Sequence, residues 1–428
     1  MENTTFDVIV VGAGVAGLSA SYHLKKKGLN HIVFERGKIG ESWRSQRWDS
    51  FRLNSLNKLN TLAGVEYKGN DPLGFDSATE YISSFEEYVA IYDLPISERS
   101  KVISIEKPGE FFNVAVSKNN GIKNYSCKHV IIASGYASEI KTPSFSKNIS
   151  RNIKQLHTSE YRNPKELPDG AVLVVGSAQS GVQIAEDLAD AGRKVYLSTS
   201  MVARVPRWYR GRDIMEWLID MKFFDMRAED IKDPAMLKMK PPQITGIGGS
   251  RYTISLQSLA KRGVVIVGKT EDADAHNVFF QPNAAMHVKF ADGFSKNVKE
   301  MIDGFILKNQ LRAEPSQPDV NDEPDENASC ASSLTSLNFE EDNISSVIWS
   351  TGFSGDFSYI KLPVFDEEGN LKHSNGLPPV SGLYFIGYPW LRGRRSVLIF
   401  GMKDDAEFAV NRIYNQSQAE VDSAPVAV

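Results

Sequence analysis

The feature that most restricts the fold of this chain is a strand, glycine turn and helix that occur in that order twice. Phe6–Val11 is an apolar run broken only by Asp7, Gly12-Ala13-Gly14-Val15-Ala16-Gly17 follows it, and Leu18, Tyr22 and Leu24 then keep a helical spacing up to Gly28. A second apolar run, His31–Phe34, ends in Glu35 and Arg36. A glycine-rich hairpin is a poor reading, because no turn signal interrupts the helical stretch. In a βαβ unit each position has a physical role. Gly12 makes the tight turn, Gly14 lets the backbone approach a pyrophosphate, Gly17 lets helix and strand pack closely, and an acid ending the second strand holds ribose hydroxyls. The pattern returns as the strand Ala171–Val175, the turn Gly176-Ser177-Ala178-Gln179-Ser180-Gly181, a helix closed by Gly192, and the strand Lys194–Leu197.

Two related phrases follow these modules, Ile131-Ile132-Ala133-Ser134-Gly135-Tyr136 and Val347-Ile348-Trp349-Ser350-Thr351-Gly352-Phe353. Each runs an apolar strand into small residues, a turn that lets the chain cross between domains beside a dinucleotide. Lys101–Val116 and Tyr125–Ala133 read as strands around the Asn119-Asn120-Gly121 turn. Ser381–Gly387 reads as a turn and strand returning to the first module, and a helix over Asp404–Tyr414 closes it. The predicted fold is α/β, with two Rossmann-like dinucleotide-binding domains, the second inserted into the first. Residues 1–165 form the first part of one domain, 166–350 the inserted domain, and 351–428 the return. From Glu314 to Asp342 the chain carries nine acidic residues and no Lys or Arg, with Pro315, Pro318 and Pro324. That composition predicts a flexible surface insertion.

Net charge is −4 at pH 7, which leaves no electrostatic footprint for nucleic acid. The chain has two cysteines, Cys127 and Cys330, far apart and outside any Cys-x-x-Cys, so neither a disulfide framework nor a thiol relay is expected. A reducing, cytoplasmic setting is the default expectation. The short polar stretch Met1–Asp7 gives no signal peptide, and no apolar run is long enough for a membrane span. The seven histidines show no metal-ligand spacing, and no Gly-x-Ser-x-Gly elbow occurs.

The two modules differ after their second strand. Ser198-Thr199-Ser200 stands where an NAD site carries an acid, and Arg204 and Arg207 follow. Hydroxyls and guanidinium groups suit a 2′-phosphate that an acid would repel, so NADPH is expected there rather than NADH. The alternative is that Arg204, Arg207, Arg210 and Arg212 make a solvated basic face, as at least two of them are expected to do.

Together these features resemble the class B flavoprotein monooxygenases, which include the flavin-containing and the plant indole-3-pyruvate monooxygenases, and most closely their bacterial single-chain relatives. The resemblance implies FAD at Gly12, Gly14, Gly17, Glu35 and Arg36, and NADPH at Gly176, Ser177, Gln179, Ser180, Gly181, Ser198, Thr199, Arg204 and Arg207. Gly40-Glu41-Ser42-Trp43-Arg44 is similar to the family's Gly-x-x-Trp segment, which implies Trp43 and Arg44 beside the flavin. His157-Thr-Ser-Glu-Tyr161-Arg162 is similar to the second half of the family's hinge motif, with Arg151 and Ile153 at the Phe and Gly positions of its first half. Asn54, in Phe51-Arg-Leu-Asn54-Ser-Leu-Asn57, stands at the place of the family's catalytic asparagine. There an amide can hydrogen-bond the C4a-(hydro)peroxyflavin; the plainer reading is that Asn54 or Asn57 caps a turn. The implied reaction is oxygenation of a small organic molecule by O2, at nitrogen, sulfur or a carbonyl (Baeyer–Villiger), by a protein with which a homodimer is compatible. No metal is implied. A non-oxygenating FAD/NAD(P)H oxidoreductase and a non-catalytic dinucleotide-binding regulator would carry the same two modules.

Overall fold

The computed structural model describes residues 4–238, 241–247 and 251–423; Met1–Asn3 of the polar N-terminal stretch and the last five residues of the return lie outside them. The first sheet is built from β1 (Thr4–Val11), β2 (His31–Phe34), β3 (Ile96–Ser97), β4 (Lys101–Glu106), β5 (Phe112–Lys118) and β6 (Gly121–Ile132). Their order is β3-β2-β1-β6-β5-β4, parallel from β3 to β6 and antiparallel from β6 to β4. Val8, Ile9 and Val10 of β1 are fully buried, as a central parallel strand covered on both faces requires. Lys101–Val116 is two strands rather than one, because Pro108 and Gly109 break the pattern into a turn. Helix α1 (Val15–Lys26) leaves the first glycine turn, and α2 (Ala78–Tyr92) begins with a Ser77/Glu80 capping box.

The second sheet holds β7 (Lys154–His157), β8 (Ala171–Val175), β9 (Val195–Ser198), β10 (Val265–Val267) and β11 (Ile344–Trp349). All are parallel, in the order β10-β9-β8-β11-β7. Its edge strand β7 precedes the expected boundary at 166, so the second domain starts earlier than expected. A strand of four residues with Lys154 and Gln155 in it has too little apolar patterning to stand out. Helices α3 (Gln179–Asp190), α4 (Ile214–Asp220) and α5 (Ala284–Lys308) belong to this half. The return adds β12 (Leu383–Phe385) parallel to β6, and α6 (Ile399–Ser423) packs Ala406, Ala409, Val410 and Ile413 into the α1 core. None of the described helices is long and apolar enough to cross a membrane.

The two crossings between the domains lie side by side. Glu139–Ile140, after the first crossing phrase, pairs antiparallel with Phe353–Ser354, after the second. His157, at the end of β7, packs on the second of them, its Nε2 lying 3.1 Å from the carbonyl of Gly352 and its ring edge-on to Phe353. The acidic stretch has little regular structure, yet it is anchored. Asp322 is buried against Arg204, Ser295 and Lys299, Asp319 accepts from Thr253, and Ser336–Asn338 pairs as a strand with Asn277–Phe280. Composition pointed to a flexible insertion because it shows charge but not the cations, Arg204 and Lys299, that meet it.

Candidate active site

The two glycine turns have the same construction. A Cβ on Gly12 would meet the Ala133 carbonyl oxygen at 2.5 Å, and one on Gly176 would meet that of Ser350 at 2.4 Å. Both glycines sit in the left-handed region, at φ +104° and +108°. A Cβ on Gly17 would lie 1.8 Å from the Gly12 oxygen, and one on Gly181 1.9 Å from the Gly176 oxygen, so these two close the helix onto its strand. Gly14 faces open space instead. That is the place a pyrophosphate would occupy, and the first turns of α1 and α3 carry no acid to oppose it.

Both turns open into one cleft of about 2230 Å³. A pocket for a single small ligand is roughly 300–1,000 Å³, so this one has room for two nucleotides and more. Glu35 ends β2 inside it, buried, with the Ala13 N–H donating to Oε2 at 2.8 Å and the Gly37 N–H to Oε1 at 2.9 Å. Burial raises its pKa, those two hydrogen bonds oppose the rise, and lone pairs remain for ribose hydroxyls. Arg36 and Trp43 line the same end, Trp43 standing edge-on to Tyr81. These groups fit FAD. Arg44 does not take part as expected: its guanidinium turns away to Glu86 on α2 and to the Ile39 carbonyl, because that helix presents the nearer carboxylate.

At the second turn, Gly176, Ser177, Gln179 and Ser180 line the cleft. Ser177 Oγ accepts from the Ser200 N–H at 3.0 Å, while the Gln179 amide bridges the Thr245 carbonyl and the Ile244 N–H. Ser198 and Thr199 reach the cleft wall, but their hydroxyls are committed inward, Ser198 to Gly268 and Thr270, Thr199 to Val267 and His287. Arg204 and Arg207 are not available to a 2′-phosphate. Arg204 is buried in ion pairs with Asp292 (2.6 Å) and Asp322 (2.7 Å). Arg207 is fully buried beside Asp213 at 2.7 Å and over the Phe75 ring at 4.3 Å. Arg210 and Arg212 pair with Asp303 and Asp220, so none of the four makes an unpaired solvated face. The sequence shows the arginines but not which carboxylates each of them meets. Lys269, just past β10 and next to Ser198 through Thr270, is the exposed cation at this wall, with Glu271 two residues on.

Asn54 lies in the cleft between the modules, held from the second domain at two points. Gln183 on α3 donates from Nε2 to Asn54 Oδ1 at 3.3 Å, and Arg207 donates from Nη1 to the Asn54 backbone carbonyl at 2.6 Å. With its oxygen engaged, the Asn54 side chain offers its N–H groups to the cleft. Asn57 takes the turn-stapling role, bonding Asp76 N and Asp71 O. Trp48, six residues before Asn54, is buried in the second domain's core, so the whole segment is seated between the two halves. Sequence reasoning passed over Gln183. Its signal was an uncharged amide inside a helix whose neighbours Val182, Ile184 and Ala185 are all buried. At the hinge segment, the Tyr161 hydroxyl donates to Asp187 at 2.6 Å, and Ile153 packs on the second domain. Cys127 and Cys330 are both free, and burial pushes each thiol up to about 12.

Residues 9–219 match the family model described as pyridine nucleotide-disulphide oxidoreductase. An uncharacterised CzcO-like oxidoreductase of Geobacillus kaustophilus is 31% identical over 96% of this chain and 98% of its own length. The indole-3-pyruvate monooxygenase YUCCA8 of rice is 26% identical over 72% of this chain and 81% of its own. Among solved structures, a flavin-containing monooxygenase from Stenotrophomonas maltophilia superposes with TM-score 0.63 at 19% identity, covering 97% of this chain and 99% of that one. A bacillithiol disulfide reductase from Bacillus cereus shares the fold almost as closely, at TM-score 0.62 and 15% identity over 96% of this chain and 100% of that one.

Proposed function

Because the chain belongs to the class B flavoprotein monooxygenases, and matches the CzcO-like oxidoreductases along nearly its whole length, we propose that it is an FAD- and NADPH-dependent monooxygenase of a small organic molecule. One oxygen atom of O2 enters the product; the other leaves as water, with NADPH supplying the electron pair. When bound, FAD supplies the redox chemistry, taking hydride from NADPH and activating O2. Gly12, Gly14, Gly17, Glu35, Arg36 and Trp43 would hold it. Gly176, Ser177, Gln179, Ser180 and Gly181 would hold the NADPH pyrophosphate, and Lys269 takes the 2′-phosphate role expected of Arg204 and Arg207. Asn54 would donate its amide N–H to the oxygen being transferred. Gln183 and Arg207 set its orientation before the reaction starts, so no reorganisation is needed at that moment. The observation that supports this reading most is Asn54 itself, seated between two nucleotide turns with its amide oxygen already engaged.

The test follows NADPH oxidation and O2 uptake by the flavin-loaded protein with thioanisole, N,N-dimethylaniline and phenylacetone, one probe for each candidate reacting centre. Under ¹⁸O2, one labelled atom in a product is the expected result. NADPH oxidation that proceeds without O2 and reduces ferricyanide, with no label in any product, favours the electron-transferring oxidoreductase.

A further inference from the structure

Three arginines, Arg392, Arg394 and Arg395, lie just before α6. Arg392 faces Asp405 at 3.3 Å, and Arg395 reaches Asp404 at 3.2 Å and Asp225 at 3.5 Å. Arg394 has no carboxylate partner among the described residues, and it alone of the three lines the cleft. Its guanidinium lies over the Phe223 ring at 4.2 Å and near Trp390 at 5.6 Å, while its Nη1 is buried and has no hydrogen-bond partner among the described residues. The surrounding lobe is apolar, formed by Met215, Leu218, Phe223, Phe224 and Phe400. The acids that line the cleft, Glu35, Glu41, Glu271 and Asp356, all come from other segments of the chain. Trp390 is held at φ +56°, a strained setting for a bulky residue, and its indole N–H donates to the Leu237 carbonyl at 3.2 Å.

A buried N–H of a charged group without an acceptor is unfavourable. Burial lowers the pKa of Arg394, yet a guanidinium keeps its charge in such a setting. Aromatic rings can face the guanidinium plane but do not satisfy the N–H groups in that plane. A planar carboxylate does, through two parallel hydrogen bonds. We propose that Arg394 is the anion-reading residue of the substrate site, and that the substrates are apolar, ring-bearing carboxylates whose ring fills the lobe. Calling these molecules substrates rests on the monooxygenase reading; the binding itself does not.

The experiment therefore measures binding alone. 3-Phenylpropionate, 3-phenylpropanamide and 3-phenylpropylamine are titrated by calorimetry into the oxidised, flavin-loaded protein, without NADPH. A charge-assisted pair is expected to make the carboxylate bind about tenfold to hundredfold more tightly than the amide, with the amine weakest. Arg394→Gln should remove that preference and leave the amide's affinity near the native value, and Arg394→Lys should keep part of it. Equal affinities for carboxylate and amide in the native protein overturn the proposal without any variant. So does a preference that survives Arg394→Gln, or a variant that shifts the flavin reduction potential while the preference is intact, which would give Arg394 to the flavin. Since no turnover is measured, a failure to detect oxygenation leaves the binding result standing in either direction.

Discussion

Arg207→Met keeps an unbranched, apolar stem and removes the charge, which strands Asp213 in the interior. Asp213 is 1% exposed, and Arg207 is its ion-pair partner. Breaking a buried pair in this way costs about 3–5 kcal/mol. The 2.7 Å contact is not aligned as a hydrogen bond, and Asp213 Oδ1 keeps the Met215 N–H, so the lower end, about 3 kcal/mol, applies here. At roughly 2–4 °C per kcal/mol for a domain of this size, the second domain should melt about 6–12 °C earlier. Arg207→Met with Asp213→Asn removes the stranded charge and should recover most of the loss. Thermal unfolding of the flavin-loaded protein, read by circular dichroism, measures both variants. A single variant as stable as the native protein, or a double variant no better than the single, refutes the reasoning. Because Arg207 does not face the cleft, the KM values for NADPH and NADH should change by the same factor. Selective loss of NADPH would return this arginine to the 2′-phosphate.

Asn54→Ala should leave flavin reduction by NADPH near the native rate while the share of NADPH lost to hydrogen peroxide rises. A lost hydrogen bond to a charged group, roughly 1.5–3 kcal/mol, corresponds to about tenfold to hundredfold faster loss, which stopped-flow measurement of the two half-reactions separates. Lys269→Ala should raise the NADPH KM about tenfold or more with NADH little changed, and Glu271→Gln should lower it; equal effects on both nucleotides would remove Lys269 from this role. Replacing Ser316–Ser332 by a short Gly/Ser linker deletes Asp322 and leaves Arg204 and Lys299 without that carboxylate. The shortened chain should unfold at lower temperature, and an unchanged melting curve would show that the stretch adds nothing to the core.

The two nucleotide modules were legible because each of their residues acts locally. Gly12, Gly17, Gly176 and Gly181 meet backbone atoms in turns and strands that a reader of the sequence can already pair. Asn54 was reached only through the family resemblance, whereas the place of Glu35 was readable for a similar reason, since it ends a strand whose direction was known. The arginines were not. Arg204 meets Asp322 and Asp292, and Arg207 meets the Asn54 carbonyl, partners that only tertiary packing brings together; Asp213 reaches Arg207 across the local Trp208–Asp213 hairpin. Arg44 shows the same limit at shorter range: its position beside Trp43 suggested the flavin, but Glu86 decided where the side chain points. Gln183 was hidden by its own helix, since a buried amide among apolar neighbours reads as an irregularity until the loop carrying Asn54 is laid against it.

The ribbon between Glu139–Ile140 and Phe353–Ser354 ties both interdomain connections at one edge of the cleft, so a swing of one half against the other must pivot there. The Asn54 contacts with Gln183 and Arg207 span the same gap away from that pivot. Any swing wide enough to open the gap pulls those contacts apart, and Asn54 loses its orientation in the same movement. If Asn54 acts as proposed, the joint would work as an interlock: an open molecule would be a disarmed one, and the amide would be aimed only with the two halves shut.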